Sequence, residues 1–285
     1  MNKTLKDSFG NSIYPTTKTE YITDAYNTPI NQLIRRPFIK GVNHRGWGHA
    51  PENTLPAYVE SFQHGFKYVE CDIAFTSDNV AVLLHDNTIN RTSNGSGTIQ
   101  NMSFTTVRNY DFGAWKNSKY TGTKIPTFEE FIALCRNLGL HPYIEIKQNT
   151  SYTQEQLTQI VNFVEAYGMK GNVTYISFDS SYLTMIKEID DKARLGYLTS
   201  NTVSSAIINT VNGLRTTYNN VFLSLDKNRL NTTAISLCKN AHIPLELWTV
   251  NSESEIKNFD SYISGITSDY YNAETIVGSY FYSLK

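Results

Sequence analysis

The stretch YVECDIAFTSDNVAVLLHD, residues 68–86, holds two apolar runs, Tyr68–Ala74 and Val80–His85, separated only by Phe75-Thr76-Ser77-Asp78-Asn79. A parallel crossover takes a dozen or more residues, so a link this short folds the second run back beside the first as a hairpin-like excursion. On either side, strand-like runs at Ile39–His44, His141–Ile146, Val173–Phe178, Arg194–Leu198, Val221–Leu225, Pro244–Val250 and Gly265–Thr267 alternate with segments of helical period. That alternation predicts βα units and a mostly parallel sheet. With Val80–His85 set aside, eight strands remain. The reading is an α/β chain: a TIM-type (β/α)₈ barrel over residues 38–285, with an insertion at about 86–126 between the second and third main strands. Such a barrel takes about 250 residues, which a chain of 285 accommodates in one domain.

Helix starts are marked by Asn53 before Leu55–Gln63, Thr127 before Phe128–Leu138, Thr153 before Gln154–Tyr167 and Ser180 before Tyr182–Ile189. Ser252 and Glu255 have the spacing of a capping box. Residues 1–37 are polar, lack a sustained period and carry turn signals, so they read as an arm or linker. The insertion is rich in Asn, Thr, Ser and Gly, as expected of a segment that shapes a barrel mouth.

The formal charge is −1 and like charges do not cluster, which argues against a nucleic-acid or anionic-membrane surface. Cys71, Cys135 and Cys238 lie apart in apolar runs, so buried free thiols are expected in place of a disulfide framework or zinc site. Neither an apolar leader after the first residues nor an apolar run of about 18 is present, which predicts a soluble chain without a signal peptide or membrane span.

Reactive groups in such barrels come from the C-terminal ends of strands and the loops after them. The first strand ends in His44-Arg45-Gly46, and the second carries Glu70-Cys71-Asp72, whose two carboxylates share one face because side chains alternate along a strand. The hairpin run ends in His85-Asp86, and the next main strand ends in Glu145-Ile146-Lys147. Glu70, Asp72 and Glu145 gathered in one mouth would repel each other strongly unless a cation joined them. Carboxylates without thiolates suit a hard divalent ion, Ca²⁺ or Mg²⁺ before zinc, with Mn²⁺ also admitted. His44 and His85 are then free for proton transfer near neutral pH. Trp248 with Phe178 would form an apolar wall for substrate, and Trp115 would pin the insertion.

At these residues the chain resembles the glycerophosphodiester phosphodiesterase family. The resemblance runs through His44-Arg45-Gly46, Ala50-Pro51-Glu52-Asn53-Thr54, Glu70-Cys71-Asp72, Leu84-His85-Asp86 and Arg91-Thr92-Ser93-Asn94-Gly95-Ser96-Gly97. It continues in Asp111-Phe112-Gly113-Ala114-Trp115, Ile125-Pro126-Thr127-Phe128-Glu129-Glu130 and Glu145-Ile146-Lys147, with Trp248 and Thr267-Ser268-Asp269 also family-like. One departure is the step Gly46-Trp47-Gly48-His49-Ala50 beside His44. The resemblance implies one divalent ion on Glu70, Asp72 and Glu145, His44 and His85 as acid and base, and Arg45 and Lys147 against the phosphate. It favours attack by the neighbouring glycerol hydroxyl through a cyclic phosphate over attack by water. The expected activity is metal-dependent hydrolysis of glycerophosphodiesters, extending to polyglycerol-phosphate teichoic acid.

A sphingomyelinase D-like phospholipase is the rival of the same architecture; the long insertion and the Arg91–Gly97 segment speak against it. Lys6–Asn11 and Ile13–Thr16 faintly resemble leading segments of bacteriophage tail proteins. That likeness implies a different class, a tail-associated teichoic-acid-binding module with little turnover, and assembly of an oligomer or virion through residues 1–37. Localisation would then be virion-associated instead of cytoplasmic.

Overall fold

The computed structural model describes residues 39–147, 151–218 and 220–276; the expected arm at 1–37 lies outside the described residues. Strand β1 (Lys40–Asn43) leads into helix α1 (Leu55–Gln63), β2 (Tyr68–Phe75) and β3 (Ala81–Leu83). The segment that follows contains two 3₁₀ turns and the one-turn helix α2 (Phe104–Val107), and ends at α3 (Phe128–Leu138) and β4 (His141–Ile146). Then come α4 (Gln154–Ala166), β5 (Thr174–Ser177), α5 (Ser180–Ile189), β6 (Arg194–Thr199), α6 (Ser205–Gly213), β7 (Val221–Asp226), α7 (Thr232–Asn240), β8 (Leu245–Trp248), α8 (Glu253–Asn258) and β9 (Ile263–Ser268).

Strands β2, β4, β5, β6, β7, β8, β9 and β1 pair in that order, all parallel, and β1 closes the ring on β2. This is the closed barrel expected from the sequence. Strand β3 runs antiparallel along the far end of β2, from Ile73 opposite Leu83 to Phe75 opposite Ala81. The short 75–79 link therefore has the consequence inferred for it. Strand β1 pairs with β2 only at Tyr68 and Val69, so the upper edge of β2 is left to β3 and to the loop after β1.

Alternation sorts the side chains into two apolar layers. Val69, Cys71 and Ile73 of β2 point outward under Tyr58 of α1 and Phe128 and Phe131 of α3, in one large core. Val42, Tyr143, Ile176, Leu198 and Phe222 fill the barrel interior. Gly196 makes that filling feasible, since a Cβ there would sit 2.3 Å from the Phe222 ring. All three cysteines are free and buried.

Thr127 and Thr153 form full capping boxes with Glu130 and Gln156, each cap worth about 1 kcal/mol. Three caps differ from expectation. Helix α1 has Thr54 at its N-cap position with no side-chain capping bond, and the Asn53 side chain turns inward to Asp72. Helix α5 is capped by Asp179, whose carboxylate accepts from Ser181 N. Ser252 forms no capping bond at α8; its hydroxyl bonds Ser254, and Glu255 pairs with Lys227.

The closed end of the barrel is sealed by an ion network centred on Glu246. Buried Glu246 pairs with Lys40, accepts from Arg194 Nη2 at 2.9 Å and accepts from the Tyr143 hydroxyl at 3.2 Å. Gly265 leaves room for it, as a Cβ there would stand 3.0 Å from the carboxyl carbon. Burial pulls the Lys40 ammonium down, and Glu246 opposes that pull. Glu246→Gln therefore strands two cations against each other. It is expected to cost about 2–3 kcal/mol, the low end for a broken buried pair because Lys40 and Arg194 are partly solvated. Thermal unfolding should show a fall in Tm of about 2–4 °C per kcal/mol.

Candidate active site

The open end of the barrel is built around the loop that follows β1. Arg45 (φ 56°) and Gly46 (φ 84°) take left-handed backbone conformations there, a cost of about 1–2 kcal/mol for a residue with a Cβ. The turn aims Arg45 N at Glu70 Oε2, 2.9 Å away, and brings Arg45 Nε within 3.3 Å of Asp72 Oδ2. Asn53 (φ 54°) is also left-handed, as Asn tolerates. Its amide spans the open edge of β2, donating to Asp72 Oδ2 at 2.8 Å and accepting from Asp72 N at 3.2 Å. The Tyr58 hydroxyl locks Asn53 from behind at 3.0 Å.

Glu70, Asp72 and Glu145 are all buried, with an oxygen from each lying within 4.8 Å of the others. Strand register explains the meeting: Asp72 lies opposite Glu145 in the β2–β4 ladder, and Glu70 is two residues along the same face. Lys147 joins them, with Nζ 3.2 Å from Asp72 Oδ1 and 3.1 Å from Glu145 Oε1. Burial pushes the Glu70 carboxyl well above the usual range, and the Asp72 and Glu145 charges push it further. Glu145 is raised for the same reasons, burial first and then Asp72. Burial also acts upward on Asp72, but Lys147 and Arg45 outweigh it and hold that carboxyl below its ordinary value.

Glu70 Oε1 is buried without a hydrogen-bond partner. Two like charges at this separation repel by about 3 kcal/mol at an effective dielectric of 20. An all-oxygen donor set, crowded and short of positive charge, fits a hard divalent cation; these three carboxylates could hold a metal ion.

Both histidines face the same cavity of about 190 Å³, together with Arg45, Glu70, Glu145 and Lys147. Its opposite wall is apolar, formed by Ile176, Leu198, Phe178 and Trp248. Phe178 and Trp248 meet edge to face at 5.4 Å, and the Trp248 indole donates to Ser224 O at 3.1 Å. Each histidine is oriented through Nδ1 by a carboxylate: His44 by Asp269 at 2.8 Å, His85 by Asp86 at 2.7 Å. Burial lowers the His85 imidazole below its ordinary value. Trp115 lies in the insertion and donates to Phe112 O at 2.9 Å.

Three partners escaped the sequence reading. Asp269 stood only inside a family-like ending, Asn53 was read as a helix cap, and the Arg91–Glu52 link joins residues far apart in the chain. Arg91 bonds both oxygens of Asp86 (2.7 and 3.0 Å) and both of Glu52 (2.6 and 2.8 Å), while Glu52 also accepts from Arg45 at 3.1 Å. Hydrogen bonds from Arg91 hold the Asp86 carboxyl down to about 2. Arg91 opens the family-like segment Arg91–Gly97, and that is the signal that points to it.

Residues 44–273 match the model of the glycerophosphoryl diester phosphodiesterase family. The chain belongs to that family. Glycerophosphodiester phosphodiesterase 1 of Homo sapiens is 33% identical over 164 residues, covering 56% of this chain and 49% of the human protein. This chain spans about half the length of the mammalian relatives it matches. A putative glycerophosphodiester phosphodiesterase of Bacillus subtilis is 26% identical over 245 residues, covering 80% of this chain and 93% of that protein. Among solved folds, an Oleispira antarctica phosphodiesterase in complex with the product sn-glycerol-3-phosphate superposes with a TM-score of 0.72 at 24% identity, over 86% of this chain and 97% of that one.

The raised Glu70 and Glu145 carboxyls have a consequence for stability. From about pH 4.3 upward the unfolded chain releases these protons while the folded, ion-free chain retains them. The folded state then binds more protons, so its stability falls as pH rises toward the raised values. Melting curves in chelator should show Tm declining over that window. A divalent ion at about a hundred times its Kd should restore about 2.7 kcal/mol, and Glu70→Gln should flatten the pH slope and weaken the response to ion. A wild-type Tm indifferent to millimolar Ca²⁺ or Mg²⁺ would count against an ion site.

Proposed function

We propose that this chain hydrolyses glycerophosphodiesters, with His44 and His85 as general acid and base and Glu70, Asp72 and Glu145 holding one divalent ion, Ca²⁺ or Mg²⁺. The observation that carries this reading is one cavity lined by Glu70 and Glu145 of the crowded carboxylate trio, by two carboxylate-oriented imidazoles and by the cations Arg45 and Lys147. Family membership supplies the reaction class.

A phosphodiester already bears negative charge, and its transition state spreads more over the oxygens, so fixed positive groups aimed at them lower the barrier. The ion, when bound, neutralises the carboxylates and draws charge from the phosphate. Arg45 and Lys147 line the same cavity and supply preorganised cations, because their own carboxylate partners hold them in place. Ile176, Leu198, Phe178 and Trp248 offer the apolar wall against which the glycerol carbons pack.

One imidazole takes the proton of the neighbouring glycerol hydroxyl as its oxygen bonds to phosphorus. The other gives a proton to the departing alcohol oxygen as the old P–O bond breaks. Water then opens the cyclic phosphate with the roles reversed, a new P–O bond forming and a ring P–O bond breaking, which returns each proton to its starting place. Asp269 and Asp86 act through the histidines, fixing which ring nitrogen faces the substrate.

His44→Ala and His85→Ala should each lower kcat by about 10²–10⁴ with Tm little changed, measured on glycerophosphocholine and glycerophosphoethanolamine. Asp269→Asn should cost on the order of ten- to a hundredfold as an orienting partner. Excess EDTA should remove turnover and added divalent ion restore it. Full activity in either histidine variant would sink the acid–base assignment.

A further inference from the structure

Two cavities meet at His44 and Arg45. Beside the first lies a second of about 290 Å³, lined by Trp47, Glu52, Lys116, Asp269 and Tyr270 among others. A phosphodiester has two alcohol arms, and only one can pack on the apolar wall of the first cavity. The second cavity opens beside the same imidazole and guanidinium, where the other arm must go.

Its charges are unequal in availability. Glu52 is engaged by Arg45 and Arg91, and Asp269 by His44 and the Asn251 amide. Lys116 makes no side-chain hydrogen bond or ion pair with any described residue; its ammonium lies over the Trp115 ring at 5.6 Å. The cavity therefore presents one uncommitted charge among the described residues, and it is positive.

The support for that charge is fixed. Asp111 accepts from the backbone N–H groups of Gly113, Ala114 and Gly122 at 2.7, 3.0 and 2.7 Å, closing the turn that carries Lys116. Gly113 packs against Tyr120 O so closely that a Cβ would lie 2.0 Å away. In the same lining, Trp47 is stacked on His64 at 3.9 Å and meets Tyr270 edge-on at 6.5 Å. Gly48 admits the Tyr270 ring, since a Cβ there would come within 2.7 Å of it. The result is a ring-lined shelf suited to polyol carbons, with a cation at its rim.

We propose that this second cavity is the subsite for the departing alcohol, and that Lys116 fits it to an arm bearing a further phosphate, as in a glycerol-phosphate chain, in preference to a quaternary ammonium. The inference rests on the reading that the chain cleaves glycerophosphodiesters. A choline arm would bring like charge to Lys116, whereas the phosphate on the far hydroxyl of a departing glycerol would meet it as a charge-assisted partner.

The test compares kcat/KM for glycerophosphocholine, glycerophosphoglycerol and a short polyglycerol phosphate, using the full chain with its activating ion. Wild type should favour the polyglycerol phosphate over the choline diester by about tenfold, the worth of one charged contact, with the preference carried in KM and shrinking as salt is raised. Lys116→Glu should reverse the order, and Lys116→Arg should keep it. An unchanged ratio in Lys116→Glu overturns the proposal, as does a preference shared equally by the uncharged glycerol arm. If wild type cleaves all three diesters and the ratio stays fixed, the functional reading survives without the subsite. If it cleaves none of them, the functional reading fails and the subsite with it.

Discussion

Three carboxylates held within 4.8 Å of one another, away from water, set the terms for everything at the open end of the barrel. Desolvation and mutual repulsion both oppose their ionisation, and the neighbouring side chains are arranged around that opposition. Lys147 reaches two of them, Arg45 a third contact at Asp72, and Asn53 supplies an amide to Asp72. Delivering Arg45 and Asn53 to the exposed edge of β2 requires left-handed backbone at both residues, so the strain in the loop after β1 follows from the charge it has to satisfy. The short β1–β2 ladder is part of the same solution, because a longer one would leave no edge for Asn53 to occupy.

The two ends of the barrel show how different a completed network is from an open one. At the closed end Glu246 has Lys40, Arg194 and the Tyr143 hydroxyl, so one buried anion meets more donors than it needs. At the open end three buried carboxyls share two cations, and Glu70 Oε1 has no hydrogen-bond partner. Buried polar atoms in folded proteins are nearly always satisfied. Three crowded carboxyls with an unpaired oxygen among them could hold a metal ion.

How much of this was legible in the sequence depends on how far each relation reaches along the chain. Glu70 and Asp72 could be assigned to one face from their spacing, and the 75–79 link separated β3 from the parallel ring, because both are local facts of strand geometry. The helix-start caps Thr127 and Thr153 are readable for the same reason, and the structure extends each into a full capping box. Asn53 was misjudged because a helix-start residue is ambiguous between capping the helix and bonding elsewhere, and the competing partner, Asp72, is 19 positions away. Asp269 and His44 are separated by 225 positions, and no period or motif spacing encodes which carboxylate orients which ring. The Ser252 box failed on a subtler point: Glu255 had a cation within reach in Lys227, and an ion pair outcompeted the cap.

The histidines differ in what fixes them, and the difference bears on how the mouth behaves as a unit. His85 depends on its neighbour Asp86, which Arg91 clamps to Glu52 in the loop after β1, and Glu52 in turn holds Arg45. A displacement of the segment that carries Arg91 would therefore reach both the second imidazole and the guanidinium beside the carboxylates. His44 depends on Asp269 just past β9, which Asn251 and the Gly48 amide also grip. Gly48 N bonds Asp269 O at 3.0 Å, so the loop bearing His44 and the chain end that orients it close on each other across the point where the barrel's last strand meets its first. Closure of the ring thus does more than bury apolar surface: it brings the residue that positions one imidazole from the far end of the fold, which is why that half of the site exists only once β9 has paired with β1.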